Sequence, residues 1–242
     1  IPQLKKEYDY DVLIANGENA SHGKGLSEKN YHELIGAGID CITGGNHIFK
    51  RKELYPILDS KREKVLRPAN YPEDSPGMGV KVLEIGTKSL VVVNLMGRVF
   101  MKDLVSCPFR LIDSLLETQE FKNAHGIFID FHGEATSEKA AFAHYVDGRV
   151  SCVVGTHTHV QTADNQVLPN GTGFITDVGA CCAQNSILGV DIQPIIDNFV
   201  QQLPTQHTLP ETGNCLIRGV YVEIGSDKKI KNIDQIQQNV VI

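Results

Sequence analysis

Apolar residues in this chain fall into short blocks of two kinds. Val12–Ala15, Cys41–Thr43, Ile127–Phe131 and Val150–Val154 are nearly unbroken apolar runs, rich in β-branched side chains. Runs of that kind form strands buried on both faces. Between them stand blocks with helical spacing: Ser27–Gly36, Arg110–Gln119, Ser137–Tyr145 and Ile192–Leu203. Ser27 and Ser137 open their helices with Glu28 and Glu138 in the first turn, and Gly36 and Gly38 lie near the end of the first. Ile1–Tyr8 reads as the end of a helix, and a short helix is predicted around Lys52–Leu58. Val80–Ile85 and Ser89–Leu95, on either side of Gly86-Thr87-Lys88, read as an antiparallel hairpin. Val167–Leu168 and Gly173–Thr176 flank a Pro-Asn-Gly turn, and Ile217–Ile224 is a late strand. Such alternation predicts an α/β fold of two mixed sheets packed together with helices outside. No repeat, low-complexity tract or compositional break divides the 242 residues, so a single domain over 1–242 is expected.

Composition narrows the function. With a formal net charge of −6 the chain has no general attraction for duplex nucleic acid or an anionic membrane surface. Its longest apolar runs fall well short of the roughly 20 residues of a membrane helix, and no charged leader precedes an apolar segment. A cytoplasmic protein with a small-molecule substrate is expected; no pattern identifies a homo-oligomer surface. The six cysteines form no C-x-x-C pair and read as reduced; Cys41 and Cys152 fall inside strands.

Four of the apolar blocks run directly into residues that ligate metals: Gly17-Glu18-Asn19, Gly45-Asn46-His47, His132-Gly133-Glu134 and Gly155-Thr156-His157-Thr158-His159. Strands that end in this way open into a ligand crevice at their carboxyl ends. In extended backbone His157 and His159 project to the same side, within reach of one metal or two neighbouring ones. Asn46 offers a neutral oxygen, and His47, pointing the other way, meets a substrate oxygen. Glu18 supplies a carboxylate able to bridge two cations, and Asn19 a further oxygen. Each element has a plain alternative: Gly-Gly-Asn is good turn chemistry, Gly17–Asn19 reads equally as a polar loop, and His132 as a core histidine. Glu134 is assigned to the approach of the following helix and left out of the site. Taken together, oxygen and imidazole donors without thiolate favour Fe, Mn or Zn, in a cage that holds two ions about 3.5–4 Å apart.

The strings NGENASHGKGL, GGNH, RPANYP, FIDFHGEATSEK and VVGTHTHVQTADNQVLPNGTGFITDVG closely resemble the YmdB-like branch of the bacterial calcineurin-like metallophosphoesterases. The resemblance runs from about Asp11 to Ile224 and implies a four-layer α/β/β/α fold. It implies two transition-metal ions, Fe or Mn ahead of Zn, with Glu18 bridging them. Asn46, His132 and His157 would complete one site, and His159 with Asn19 the other. His47 matches the family's catalytic histidine, the general acid for attack by a metal-bridging hydroxide on 2′,3′- or 3′,5′-cyclic nucleotides. The family also carries an N-terminal strand with a Gly-Asp ligand, ahead of the point where this sequence starts, and a weakened second site is the expectation if that ligand is lacking. A regulatory metal- or nucleotide-binding protein, and a phosphomonoesterase or nucleotidase, are the alternative functions.

Overall fold

The computed structural model describes residues 1–60 and 62–241. Its first part contains α1 (Pro2–Tyr8), β1 (Ile14–Asn16), α2 (Glu28–Gly36), β2 (Cys41–Thr43) and α3 (Tyr55–Asp59). The middle contains β3 (Val80–Ile85), β4 (Lys88–Met96), α4 (Pro108–Leu116), α5 (Gln119–Asn123), β5 (Gly126–His132), α6 (Thr136–Tyr145) and β6 (Cys152–Thr156). β7 (Gln166–Val167), β8 (Gly173–Ile175), β9 (Cys182–Ala183), α7 (Ile192–Gln201), β10 (Asn214–Ile224) and β11 (Ile230–Val241) follow.

The larger sheet has the order β3-β4-β5-β6-β8-β7, with β4, β5, β6 and β8 parallel and the two edge strands antiparallel. Its registers pair Met96 with His132 and His132 with Thr156, so these three residues end the parallel strands at one level. Side chains alternate between the two faces of β4. Val91, Val93 and Leu95 pack with Ile112, Phe121 and Phe142 of the helices, whereas Leu90 and Val92 meet Cys41 and Leu66 of a second layer. Farther along, Cys152, Val154 and Ile175 meet Ile230 and Ile233. Leu26, Tyr31, Ile42, Ile48, Leu54 and Leu58 bury the outer side of that layer. The result is the expected α/β/β/α arrangement.

Four details depart from the expectation. The second layer is in two pieces, the parallel pair β1-β2 and the antiparallel β11-β10-β9, with no backbone pairing between them among the described residues. The helix expected around Lys52–Leu58 is broken into 3₁₀ turns at Ile48–Lys50 and Lys52–Leu54 followed by α3. Pro56, in the first turn of α3, lacks the amide hydrogen that a continuous helix would use there. α6 begins at Thr136 on an Ala135 cap that makes no side-chain bond, so Ser137 lies inside the helix. Finally, β11 pairs with β10 over its whole length but buries only Ile230 and Ile233; its Asn, Asp and Gln residues hide the strand period. Among the described residues no helix is long and apolar enough to cross a membrane.

Candidate metal centre

The carboxyl ends of β1, β2, β5 and β6 meet. Glu18 stands two residues beyond β1, Asn46 and His47 follow β2, His132 closes β5, and His157 and His159 lie beyond β6. Glu18 is 2% exposed, and its carboxylate accepts from His47 N at 3.0 Å and from Asn19 Nδ2 at 3.1 Å. Glycine at 45 is required by this packing. A Cβ there would lie 2.3 Å from Glu18 Oε2 and 2.5 Å from His132 Nε2.

Glu18, His132 and His157 each turn one ligand atom inward, all within 4.8 Å of one another. His132 Nε2 lies 3.4 Å from Glu18 Oε1, 2.9 Å from Asn46 Oδ1 and 3.1 Å from His157 Nδ1. On the other side of Glu18, Asn19 Nδ2 lies 3.1 Å from His159 Nε2, and Asn19 Oδ1 lies 2.7 Å from His47 Nδ1. Every residue singled out in the sequence as ligand or acid is thus brought to one place, in two groups that meet at one carboxylate.

The route by which the H-x-H histidines arrive differs from the expected one. β6 stops at Thr156, and His157 and His159 have φ of 104° and 68°. The segment is a turn, so the two rings face different partners instead of sharing one side of a strand. Asn19 also differs in detail, because its amide nitrogen, not its oxygen, faces Glu18 and His159.

Burial sets the charge state. It pushes the Glu18 carboxyl up to about 7. It holds His132 well below the usual imidazole range and lowers His47, His157 and His159 as well. Neutral imidazoles keep a lone pair free, and a buried carboxylate beside them lacks a counter-charge. That donor set, with the cradle cleared by Gly45, fits divalent cations.

Several groups outside the site named from the sequence support it. Asp130, 2% exposed, accepts from Asn16 Nδ2 at 3.0 Å, Thr156 Oγ1 at 2.7 Å and Thr43 Oγ1. It therefore ties β5 and β6 to β1 and β2 directly beneath the site. Thr156 Oγ1 also lies 2.9 Å from His132 Nδ1. Asp177 pairs with Lys139 Nζ at 3.0 Å and accepts from Thr158 N at 3.0 Å and Thr158 Oγ1 at 2.8 Å, fixing the turn between His157 and His159. Glu134 Oε2 lies 3.0 Å from His157 Nε2. The one available signal was Asp130 itself, a lone charge inside an apolar run.

Layered sheets with histidines and a carboxylate gathered at their strand ends define a class, the α/β phosphoesterases of the metallophosphoesterase type. Within that class the chain belongs to the YmdB-like protein family, whose family model it matches over residues 1–236. It is 48% identical over 240 residues to a 2′,3′-cyclic-nucleotide 2′-phosphodiesterase of Bacillus subtilis (strain 168), covering 99% of this chain and 89% of that protein. Among solved structures it resembles a hypothetical protein from Thermus thermophilus, with a TM-score of 0.89, 40% identity and 98% and 90% of the two chains covered. It also resembles a novel phosphatase of Mycoplasma pneumoniae, with a TM-score of 0.87, 33% identity and coverage of 99% and 85%.

Proposed function

We propose that this protein is a two-cation phosphodiesterase that opens cyclic nucleotides, the 2′,3′-cyclic ones first. The observation that carries this reading is the single buried carboxylate, Glu18, standing between His132 and His157 on one side and Asn19 and His159 on the other. In this reading Asn46, His132 and His157 hold one cation, His159 and Asn19 the other, and Glu18 both. Asn19 serves once its amide is turned to present the oxygen. Fe or Mn, with Zn as the third choice, suits these donors. When bound, the cations supply positive charge against the phosphate oxygens and lower the pKa of water.

The remaining steps belong to the protein. Water adds to phosphorus, one ring P–O bond breaks, and the ribose oxygen leaves with a proton. His47 is the donor, held beside the site by its own backbone N–H, which donates to Glu18 Oε2 at 3.0 Å. Burial disfavours the protonated ring, making it a stronger acid at the moment of transfer. The Bacillus subtilis relative's name supports the cyclic substrate, and the Mycoplasma pneumoniae relative's description supports phosphomonoesters as a second reading.

Metal content and turnover of a 2′,3′-cyclic nucleotide, a 3′,5′-cyclic nucleotide and a phosphomonoester test both readings. Rapid turnover of the first is expected, with His47→Ala keeping its cations while losing about 10²–10⁴-fold in rate. Hydrolysis of the monoester alone would overturn the substrate assignment. A fully metallated protein without turnover would leave a binding function.

A further inference from the structure

Every imidazole that points at Glu18 has a second nitrogen, and where that nitrogen goes decides which one carries hydrogen. For His132 the outer nitrogen is Nδ1, 2.9 Å from Thr156 Oγ1, whose hydroxyl donates to Asp130 Oδ1 at 2.7 Å. The inner one, Nε2, faces Asn46 and Glu18. His157 is turned the other way round. Its inner nitrogen is Nδ1, 3.1 Å from His132 Nε2, and its outer nitrogen Nε2 meets Glu134 Oε2 at 3.0 Å.

We propose that Glu134 is a positioning residue that holds His157 as the Nε2–H tautomer, leaving the Nδ1 lone pair directed at the cation shared with Glu18, Asn46 and His132. A carboxylate only accepts hydrogen bonds, so the 3.0 Å contact places hydrogen on Nε2. Free in water, a neutral imidazole does not have its tautomer fixed for the ligand's needs; an outer carboxylate fixes tautomer and ring angle and raises ligand basicity. His157 lies beyond the end of β6 at φ 104°, a backbone conformation that a non-glycine residue rarely adopts. Glu134 is half exposed and, among the described residues, its side chain bonds nothing in the core, so its removal leaves the fold intact. Two residues before α6, it is anchored at its backbone between β5 and that helix.

This inference rests on reading His157 as a ligand, and its test separates the two. Ring ¹⁵N shifts of His157 are recorded in metal-free wild type, Glu134→Ala and Glu134→Gln, well above the imidazole titration range. Manganese binding is then measured by calorimetry on the same proteins. Wild type shows protonated Nε2 and bare Nδ1; Glu134→Ala shows a mixture of tautomers and binds manganese about 10–100-fold more weakly. Glu134→Gln, whose amide oxygen still accepts, keeps the wild-type tautomer and most of the affinity. Wild-type shifts and affinity in Glu134→Ala would overturn the proposal. Equal loss of affinity in both variants with the tautomer unchanged would also overturn it, making Glu134 a ligand itself. If wild type binds no manganese while its tautomer is fixed as described, the ligand reading fails instead.

Discussion

Lys139 and Asp177 offer a quantitative test of how the turn carrying His157 and His159 is held. Both side chains are fully buried, at 0% and 1% exposure, and they meet at 3.0 Å. Asp177 also accepts from Thr158 N, Thr158 Oγ1 and Gly179 N at 2.8–3.0 Å. Lys139→Met keeps the stem of the side chain and removes its charge, leaving a carboxylate buried without a counter-ion. Breaking one side of such a pair costs about 3–5 kcal/mol, whereas removing both charges costs far less. Asp177→Asn should be costly for the mirror-image reason, since it strands the ammonium. The double variant should therefore fall short of the sum of the singles by more than about 3 kcal/mol. Urea unfolding of the four metal-free proteins measures this coupling. The doubly substituted protein should also bind manganese more weakly than wild type, because a neutral amide in place of the Asp177 carboxylate cannot grip the Thr158 N–H as firmly. Additive single effects, or a Lys139→Met protein as stable as wild type, would show that the pair does not hold the turn.

Further outcomes follow from the same geometry. Gly45→Ala drives a methyl group to 2.3 Å from Glu18 Oε2 and 2.5 Å from His132 Nε2; manganese binding should be abolished while circular dichroism stays near wild type, and retained binding would refute the cradle. In the metal-free protein Glu18 sits at about 7 against 4.5 when unperturbed. Because the folded value is the higher, its contribution to stability is fully present below about 4.5 and is lost as pH rises through about 7. Thermal unfolding against pH should show that decline relative to Glu18→Gln, and parallel profiles would contradict it. His132 acts with the opposite sign, since its folded value is depressed. Its contribution is present above about 6.5 and lost as pH falls below, a loss that His132→Gln should remove.

The buried parallel strands were legible because β-branched runs ending in Gly, Asn and His report both burial and an open carboxyl end. The residues gathered at the candidate site were legible for the same reason. What the sequence concealed are groups whose meaning lies in a distant partner. Lys139 looks like a solvated helix residue until Asp177, 38 positions away, is folded against it. Glu134 reads as helix-terminal acid until His157 arrives beside it. β11 was hidden by its composition: a strand with one face largely wet has few apolar residues to mark its period. The turn at His157 was missed because extended geometry is the default continuation of a strand, whereas Asp177's bonds to Thr158 and the Ala180 N–H on His159 O hold it bent.

The Asp130 knot carries a consequence for alignment. Two apolar faces can slip past each other by a residue at modest cost, since one aliphatic contact replaces another. A carboxylate clasped by Asn16, Thr43 and Thr156 admits only one setting, because any slip strands a charge and several partners in a dry interior. That same setting brings Glu18 opposite His132. The molecule thus aims the groups of its candidate site from below, through a polar lock buried beneath them.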